Sequence, residues 1–105
     1  MTDTTVTDIR ARWRASDAAD HYHMPAWGGG FFSVNARGHV QMQVGDGPAV
    51  DLMHVIDQVV ARGVESPMLL RFQDILSARV RALNEAFAAA RDAHDYAGHY
   101  RGVYP

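Results

Sequence analysis

The second half of the chain places one long amphipathic segment between two short apolar segments. Residues 68–72, MLLRF, are nearly continuously apolar, which is typical of a strand covered on both faces, and residues 99–104 are rich in aromatics. Between them, apolar residues recur at helical spacing: Leu76, Val80, Leu83, Phe87 and Ala90. The order strand, helix, strand predicts a βαβ unit over residues 67–105, with parallel strands and a right-handed crossover.

This unit cannot complete a sheet by itself. Asp74 is predicted to cap the helix and Gly98 to end it. This one helix is a single crossover, and it joins only two parallel strands. Each strand then leaves one edge unpaired and one face largely uncovered. The pattern therefore predicts an incomplete α/β unit. If the chain is part of a larger protein, the apolar helix stripe and the strand edges are where a partner would dock.

The first half predicts a β-hairpin over residues 31–44, followed by a short helix. Apolar and polar residues alternate on both sides of Asn35-Ala36-Arg37-Gly38, which suits a type I turn closed by a left-handed glycine. Apolar residues at helical spacing then predict a helix over residues 51–62, with Asp51 as its N-cap and Gly63 just after its end.

The remaining stretch before the hairpin carries weaker signals. Residues 1–20 are polar and are expected to be a mobile N-terminal segment, with at most a helical turn or two near Ile9 to Ala19. Pro25 and the three glycines that follow Trp27 predict a loop over residues 21–30. Residues 21–66 are thus interpreted as an N-terminal extension that holds the hairpin and the short helix, ahead of the unit at 67–105.

Composition excludes several classes of function. With 48% hydrophobic and 21% charged residues, the 105-residue chain is typical of a globular protein. Its formal charge of -2, with no basic stripe, argues against nucleic-acid binding. It has no cysteine for a disulfide or thiolate metal site, no run long enough to span a membrane and no signal-peptide pattern. These features predict a cytoplasmic protein.

All ten basic residues of the chain are arginine, so it contains no lysine. A GC-rich genome that favours arginine codons is one explanation. The chemical consequence is independent of that cause, because no side chain of this sequence can form a Schiff base with an aldehyde cofactor or a carbonyl substrate.

Three groups of residues invite a functional interpretation. His21, His23 and His39 suggest a metal site, but no carboxylate or thiolate lies close in the loop, and scattered histidines are usually solvated. The segment Trp27–Gly30 resembles a phosphate-binding loop, yet it leads into a strand instead of a helix. Asp92 and Asp95 bracket His94 without a serine or cysteine nucleophile.

Aromatic residues offer a further candidate surface. A stacking surface for a ligand would use Trp27, Phe31, Phe32, Tyr100 and Tyr104. Aromatics at strand positions usually pack in the protein interior, and this interpretation is favoured here.

Four segments together resemble bacterial biosynthetic arginine decarboxylases. Residues 22–44 are similar to that family's opening pattern of Tyr, a hydrophobic residue, Trp-Gly-x-Gly-Tyr-Phe, Asn and Gly-His-Val; the matching residues are Tyr22, Trp27, Gly28, Gly30, Phe32, Asn35, Gly38, His39 and Val40. LLRFQDIL at 69–76, RVRALNEAFAAA at 79–90 and YAGHYRGVYP at 96–105 are similar to later segments. Phe31 replaces the usual Tyr, and Gly29 a usual polar residue.

The resemblance implies a fold and a reaction. These enzymes hold pyridoxal phosphate in an alanine-racemase-like (β/α)8 barrel, a TIM-barrel type, beside a β-rich domain, and decarboxylate L-arginine to agmatine and CO2 in polyamine and spermidine biosynthesis and arginine catabolism. Residues 68–104 would be the first two barrel strands and the helix between them. The family continues Tyr-Pro-Ile-Lys, so its cofactor lysine would lie two positions after Pro105.

By this resemblance the chain is the N-terminal part of such an enzyme, inactive alone. It implies that the remainder of the decarboxylase chain is the partner, that the whole enzyme is a homo-oligomer and that Mg²⁺ takes part in it. No catalytic, cofactor-binding or metal-binding residue of the family carries over to a position of this chain. Two alternatives are a non-catalytic interaction module or truncated remnant, and a stand-alone enzyme that would need chemistry without lysine, cysteine or a metal cluster.

Overall fold

The computed structural model describes residues 10–103, and the chain divides into two units, Met1–Met68 and Leu69–Pro105. In the first unit, residues 10–12 are helical, and the elements bounded within the described residues are α1 (Ala15–His21), α2 (Met24–Gly28), β1 (Phe32–Val34), β2 (Val40–Met42), β3 (Val50–Asp51) and α3 (Leu52–Ala61). The second unit contains one long helix, α4 (Gln73–Ala93). The predicted mobile segment falls partly on residues 1–9, which lie outside the described residues.

The sheet of the first unit has the strand order β1-β2-β3, and both pairings are antiparallel. Phe32 pairs with Met42 and Val34 with Val40, so the predicted hairpin is confirmed. Its turn closes through Gly38, which has the left-handed φ of 79° that the sequence predicts. The third strand, Val50–Asp51, pairs with the far side of β2 and was not predicted, because two residues are too few for an alternation pattern.

Helix α3 forms as its sequence predicts. The Asp51 carboxylate accepts hydrogen bonds from the backbone N–H groups of Met53 and His54, which would otherwise lack partners at the helix start. At the other end, Gly63 adopts a φ of 91° and its N–H donates to the Val60 carbonyl at 2.9 Å. The expected N-cap and C-terminal glycine are both confirmed.

The segment predicted as a loop at 21–30 is instead largely helical. Helix α2 covers Met24–Gly28, and Pro25 lies in its first turn, where a missing N–H removes no helical hydrogen bond. The helix ends at Gly28 and is followed by Gly29 and Gly30, whose φ values are 60° and 83°. The prediction was wrong because it treated the proline as a helix breaker when it stands at a helix start.

The interior of the first unit is small. Among the residues of this unit that the structure describes, Met24 of α2 and Met42 of β2 are the buried apolar side chains. Gly28 lies beside Met24 and Phe32, and a Cβ there would make ordinary van der Waals contact, 3.4 Å from the Phe32 Cβ and 3.6 Å from the Met24 Cγ. The Trp27 and Phe32 rings approach to 5.7 Å between centroids, so α2 packs on the start of β1.

In the second unit, α4 is present but the predicted strands beside it are not. Residues 68–72 and 99–103 have no strand structure, and the last predicted strand residue, Tyr104, lies outside the described residues. Nearly all of α4 is exposed and none of its residues is buried. A parallel pair needs a covering layer to offset the cost of ordering it, and this unit provides little apolar burial.

The predicted ends of α4 also need correction. Its N-cap position is held by Phe72 and not by Asp74, which lies in the first turn, where its charge still favours the helix dipole. The helix ends at Ala93, five residues before Gly98, because Asp95 adopts the left-handed region at φ 48°. Aspartate tolerates this conformation better than most residues, and the sequence pattern did not show it.

Among residues 10–103, no helix is both long enough and apolar enough to cross a membrane.

Candidate functional site

Three polar side chains meet where the hairpin turn approaches the start of α3. The Asn35 Nδ2 donates to Oδ2 of Asp51 at 2.9 Å, and the His39 Nδ1 lies 2.9 Å from the same oxygen. We refer to Asn35, His39 and Asp51 as the turn–cap cluster. Because one carboxylate serves the hairpin turn and the helix N-cap, the cluster joins these two elements of the first unit.

Asn35 builds the turn as well as linking it. Its side-chain Oδ1 accepts hydrogen bonds from the backbone N–H groups of Arg37 and His39, both at 3.0 Å. Its backbone N–H donates to the His39 carbonyl at 2.8 Å. Asparagine favours this local pattern because its side chain can bond its own backbone two residues on.

The environment of Asp51 stabilises its ionised form. The pKa of Asp51 is lowered from 3.8 to about 2, chiefly by the hydrogen bond from His39. Partial desolvation opposes this change, and the bonds from Asn35, Met53 and His54 lower the pKa further. At neutral pH the carboxylate is therefore an acceptor only, and the His39 Nδ1 is its donor.

A polar depression of about 480 Å³ lies beside the turn–cap cluster. Its lining residues are Arg37, His39, Ala49, Val50, Asp51, Met53, His54 and Asp57. None of these is a serine, threonine, cysteine or lysine, so the His39–Asp51 pair has no nucleophile to activate here. The cluster therefore orients backbone and side chains, and its geometry does not form a catalytic triad.

The second unit has its own depression, which is aromatic. The Phe87 and Tyr100 rings stack nearly parallel, with centroids 4.1 Å apart and 8° between their planes. Around them lies a cleft of about 380 Å³ whose lining also includes Ala90, Arg91, His94, Tyr96 and His99. Within residues 10–103, the buried Nε of Arg91 has no hydrogen-bond partner. The stack holds Tyr100 against the C-terminal half of α4.

The histidines considered as metal ligands are not brought together. His21 packs edge-on against the Tyr22 ring at 4.9 Å, His23 begins α2 in the left-handed region, and His39 binds Asp51. Across the described part of the chain, no three His, Asp or Glu side chains form a group that could hold a metal ion.

The other predicted candidates have structural positions. Gly29 and Gly30 connect α2 to β1, and Asp92, His94 and Asp95 form the end of α4. The Trp27 Nε1 donates to the Tyr22 carbonyl at 2.8 Å, and its ring packs near Phe32. Tyr100 stacks on Phe87, which is far in sequence from Trp27 and Phe32. Tyr104 lies outside the described residues.

Sequence reasoning missed the turn–cap cluster. Asp51 was expected as an N-cap and Asn35 as a turn residue, but the bonds that Asp51 makes with His39 and Asn35 span 12 and 16 residues. The sequence did hold a signal for this contact. After Asn35 and Asp51 accept from nearby backbone N–H groups, Asn35 keeps its amide N–H donor and Asp51 keeps a carboxylate oxygen as acceptor.

The chain is homologous to a part of biosynthetic arginine decarboxylases. A protein named biosynthetic arginine decarboxylase from Deinococcus radiodurans is 39% identical over 102 residues, which is 97% of this chain. Those of Xanthomonas axonopodis pv. citri and Gloeobacter violaceus are 47% and 42% identical over 89% of it. The chain spans about 15% of the length of each of these relatives. No protein-family profile and no solved structure matches the chain.

Proposed function

We propose that this chain is the N-terminal part of a pyridoxal-phosphate-dependent arginine decarboxylase, which converts L-arginine to agmatine and CO2. The supporting observation is the similarity of nearly the whole chain to relatives that carry this enzyme's name, at 39–47% identity. The place of the chain at the N-terminal end is supported by the order of the four resembling segments. In this proposal the enzyme acts in polyamine biosynthesis, as a cytoplasmic homo-oligomer that uses Mg²⁺.

The residues of this chain do not fit a covalently held pyridoxal phosphate. That cofactor is bound through a lysine amine, and the 105 residues contain none. Neither depression compensates, because the polar one is lined by carboxylates next to His39 and the aromatic one is mostly apolar. We therefore assign cofactor binding, substrate binding and the reaction itself to the remainder of the decarboxylase.

The part played by this chain is structural support in the larger enzyme. We propose that residues 21–66 form an extension fixed by the turn–cap cluster, and that residues 67–105 contribute the first strand, helix and strand of the barrel. The segments at 68–72 and 99–104 would gain their ladder hydrogen bonds when neighbouring strands are added. The nearly continuous apolar run at 68–72 supports this, since such a segment suits a strand covered on both faces, and the segment at 99–104 contributes aromatic residues.

Two assays test the proposal. The purified chain, given pyridoxal phosphate and L-arginine, is expected to form no agmatine and no borohydride-reducible adduct on any side chain. An adduct on the N-terminal amine would not count, because every peptide has such an amine.

The second assay supplies the remainder. The chain is coexpressed with the Xanthomonas axonopodis pv. citri decarboxylase lacking the 15% that the chain matches. Agmatine formation that needs both chains is the expected result. A complex that forms and yet makes no agmatine would contradict the proposed function and favour a non-catalytic interaction module.

A further inference from the structure

A groove of about 690 Å³ runs along α4 in the second unit, with one apolar and one charged side. Leu76 and Val80, which are 60% and 50% exposed, form the apolar side. Arg81 and Glu85 form the charged side, about one helical turn apart, and both are exposed. Short side chains make up the floor between the two sides: Ser77, Asn84 and Ala88. This floor leaves room for a second helix to approach closely.

The two charges on the groove have no ionic partner within residues 10–103. Arg81 and Glu85 are four residues apart and so are neighbours on the helix surface. A pair in this order, with the basic residue first, is weaker than a pair in the reverse order. Both groups therefore remain available to a partner that presents one acidic and one basic group to them.

A second copy of the same groove presents these two groups in the required order. When two copies of α4 pack antiparallel about a two-fold axis level with residue 83, each Arg81 faces Glu85 of the second copy. The symmetry makes this contact reciprocal, so the dimer contains two such pairs. The same axis brings the apolar sides of the two copies together on the other flank. A parallel arrangement would instead place each apolar side against a charged side.

The length of the groove limits how tight such a dimer is. Residues 76–88 span about 18 Å of helix. Packing over that length buries less than the ~800 Å² per partner that is usual for a stable interface. The dimer is thus expected to be weak, with a Kd of about 10–100 μM.

We propose that the chain by itself forms an antiparallel dimer through this groove, with Arg81 and Glu85 in reciprocal ion pairs that set the direction of packing. The occupant of the groove is a second copy of this chain. Dimerisation of the chain alone does not depend on the proposed function, and its detection needs no agmatine formation.

Charge reversal tests the pairing. R81E and E85R each replace two attractive pairs with two repulsive ones, so each is expected to weaken dimerisation of the purified chain roughly 10-fold or more in sedimentation equilibrium. R81E/E85R exchanges the two charges, restores both pairs and is expected to dimerise as the wild-type chain does. R79E is the matched control, because Arg79 is exposed on α4 but does not line the groove.

Mixing R81E with E85R gives a second, independent readout. One variant carries two acidic groups on the groove and the other carries two basic groups. The mixture is therefore expected to form heterodimers about as tightly as the wild-type chain dimerises. Circular dichroism checks that each variant keeps α4, and a variant that had lost the helix would not recover on mixing.

Three results would overturn the dimer. The first is a wild-type chain that stays monomeric well above the expected Kd. The second is R81E and E85R dimerising as well as the wild-type chain, or R79E being weakened as much as they are. The third is a mixture of R81E and E85R that stays monomeric. None of these results bears on the proposed function, and a coexpressed complex that makes no agmatine would leave the dimer intact.

Discussion

The His39 Nδ1 and the Asp51 Oδ2 lie 2.9 Å apart, which ties the end of the hairpin turn to the first residue before α3. Together with the Asn35–Asp51 hydrogen bond, this contact connects two elements that each form from local signals. The stability of the first unit should therefore depend on the charge of Asp51.

Acid is expected to destabilise the first unit within a defined pH range. The pKa of Asp51 is about 2 in the folded chain, below its usual 3.8, so the folded state favours the carboxylate. The resulting stabilisation is fully present above about pH 4 and is lost as the pH falls towards 2. Thermal unfolding followed by tryptophan fluorescence reports on this unit, because Trp13 and Trp27 are the two tryptophans of the chain.

The control for this pH effect is D51N, which keeps an N-capping oxygen but cannot ionise. Its unfolding temperature should change less between pH 4 and pH 2 than that of the wild-type chain. Parallel pH profiles of the two proteins would show that Asp51 does not carry the effect.

Replacing Asn35 should separate its turn role from its link to Asp51. N35A removes the acceptor for two backbone N–H groups and the donor to Asp51, and should cost about 1–3 kcal/mol of unfolding free energy. N35D keeps the acceptor but faces the Asp51 carboxylate with a second negative charge. Denaturant unfolding at pH 7 should give both variants a lower free energy of unfolding than the wild-type chain. Acid should bring the free energy of unfolding closer to that of the wild-type chain for N35D but not for N35A.

The two buried methionines are expected to carry much of the stability of the first unit. M42A or M24A leaves a cavity in a small interior and should cost about 2–5 kcal/mol, enough to unfold a unit of this size. M53A changes an exposed side chain of α3 and should stay within about 0.5 kcal/mol of the wild-type chain. Circular dichroism melts of the three variants check the ranking, and a cost for M53A as large as that for M42A would contradict it.

In the second unit, the Phe87–Tyr100 stack should be visible in solution. Nearly parallel rings at 4.1 Å shift each other's aromatic proton resonances upfield, and Y100A should return those of Phe87 towards free values. The pair contributes about 0.5–1.5 kcal/mol beyond its buried area. Y22A, which alters an exposed ring of the first unit, is the control and should leave the Phe87 resonances unchanged.

The sequence predicted the elements whose signals are local. The hairpin follows from alternation and the Asn35–Gly38 turn, and α3 from Asp51 and Gly63 at its two ends. Each of these depends on residues within a few positions of one another, where propensity and capping decide the outcome.

Features that depend on distant residues were missed or wrong. Strand β3 exists only because β2 offers it a free edge, and the turn–cap cluster needs residues that are 12 and 16 positions apart. The segments around α4 have strand-like composition, but a strand also requires a paired neighbour, which composition cannot supply. For the turn–cap cluster, the sequence predicted Asp51 as a helix N-cap and Asn35 as a turn residue. It did not predict the hydrogen bonds from Asn35 and His39 to Asp51.

The shortness of the sheet has a consequence for how copies of this chain meet. Its outer strands, β1 and β3, are three and two residues long, and β3 passes directly into α3. The outward N–H and C=O groups of such edges are too few to template a further strand, and Gly29, Gly30 and the turn at Asn35 bend the chain away at both ends of β1. At its edges the first unit is thus protected from fibril-like growth, a safeguard that comes from where its strands stop.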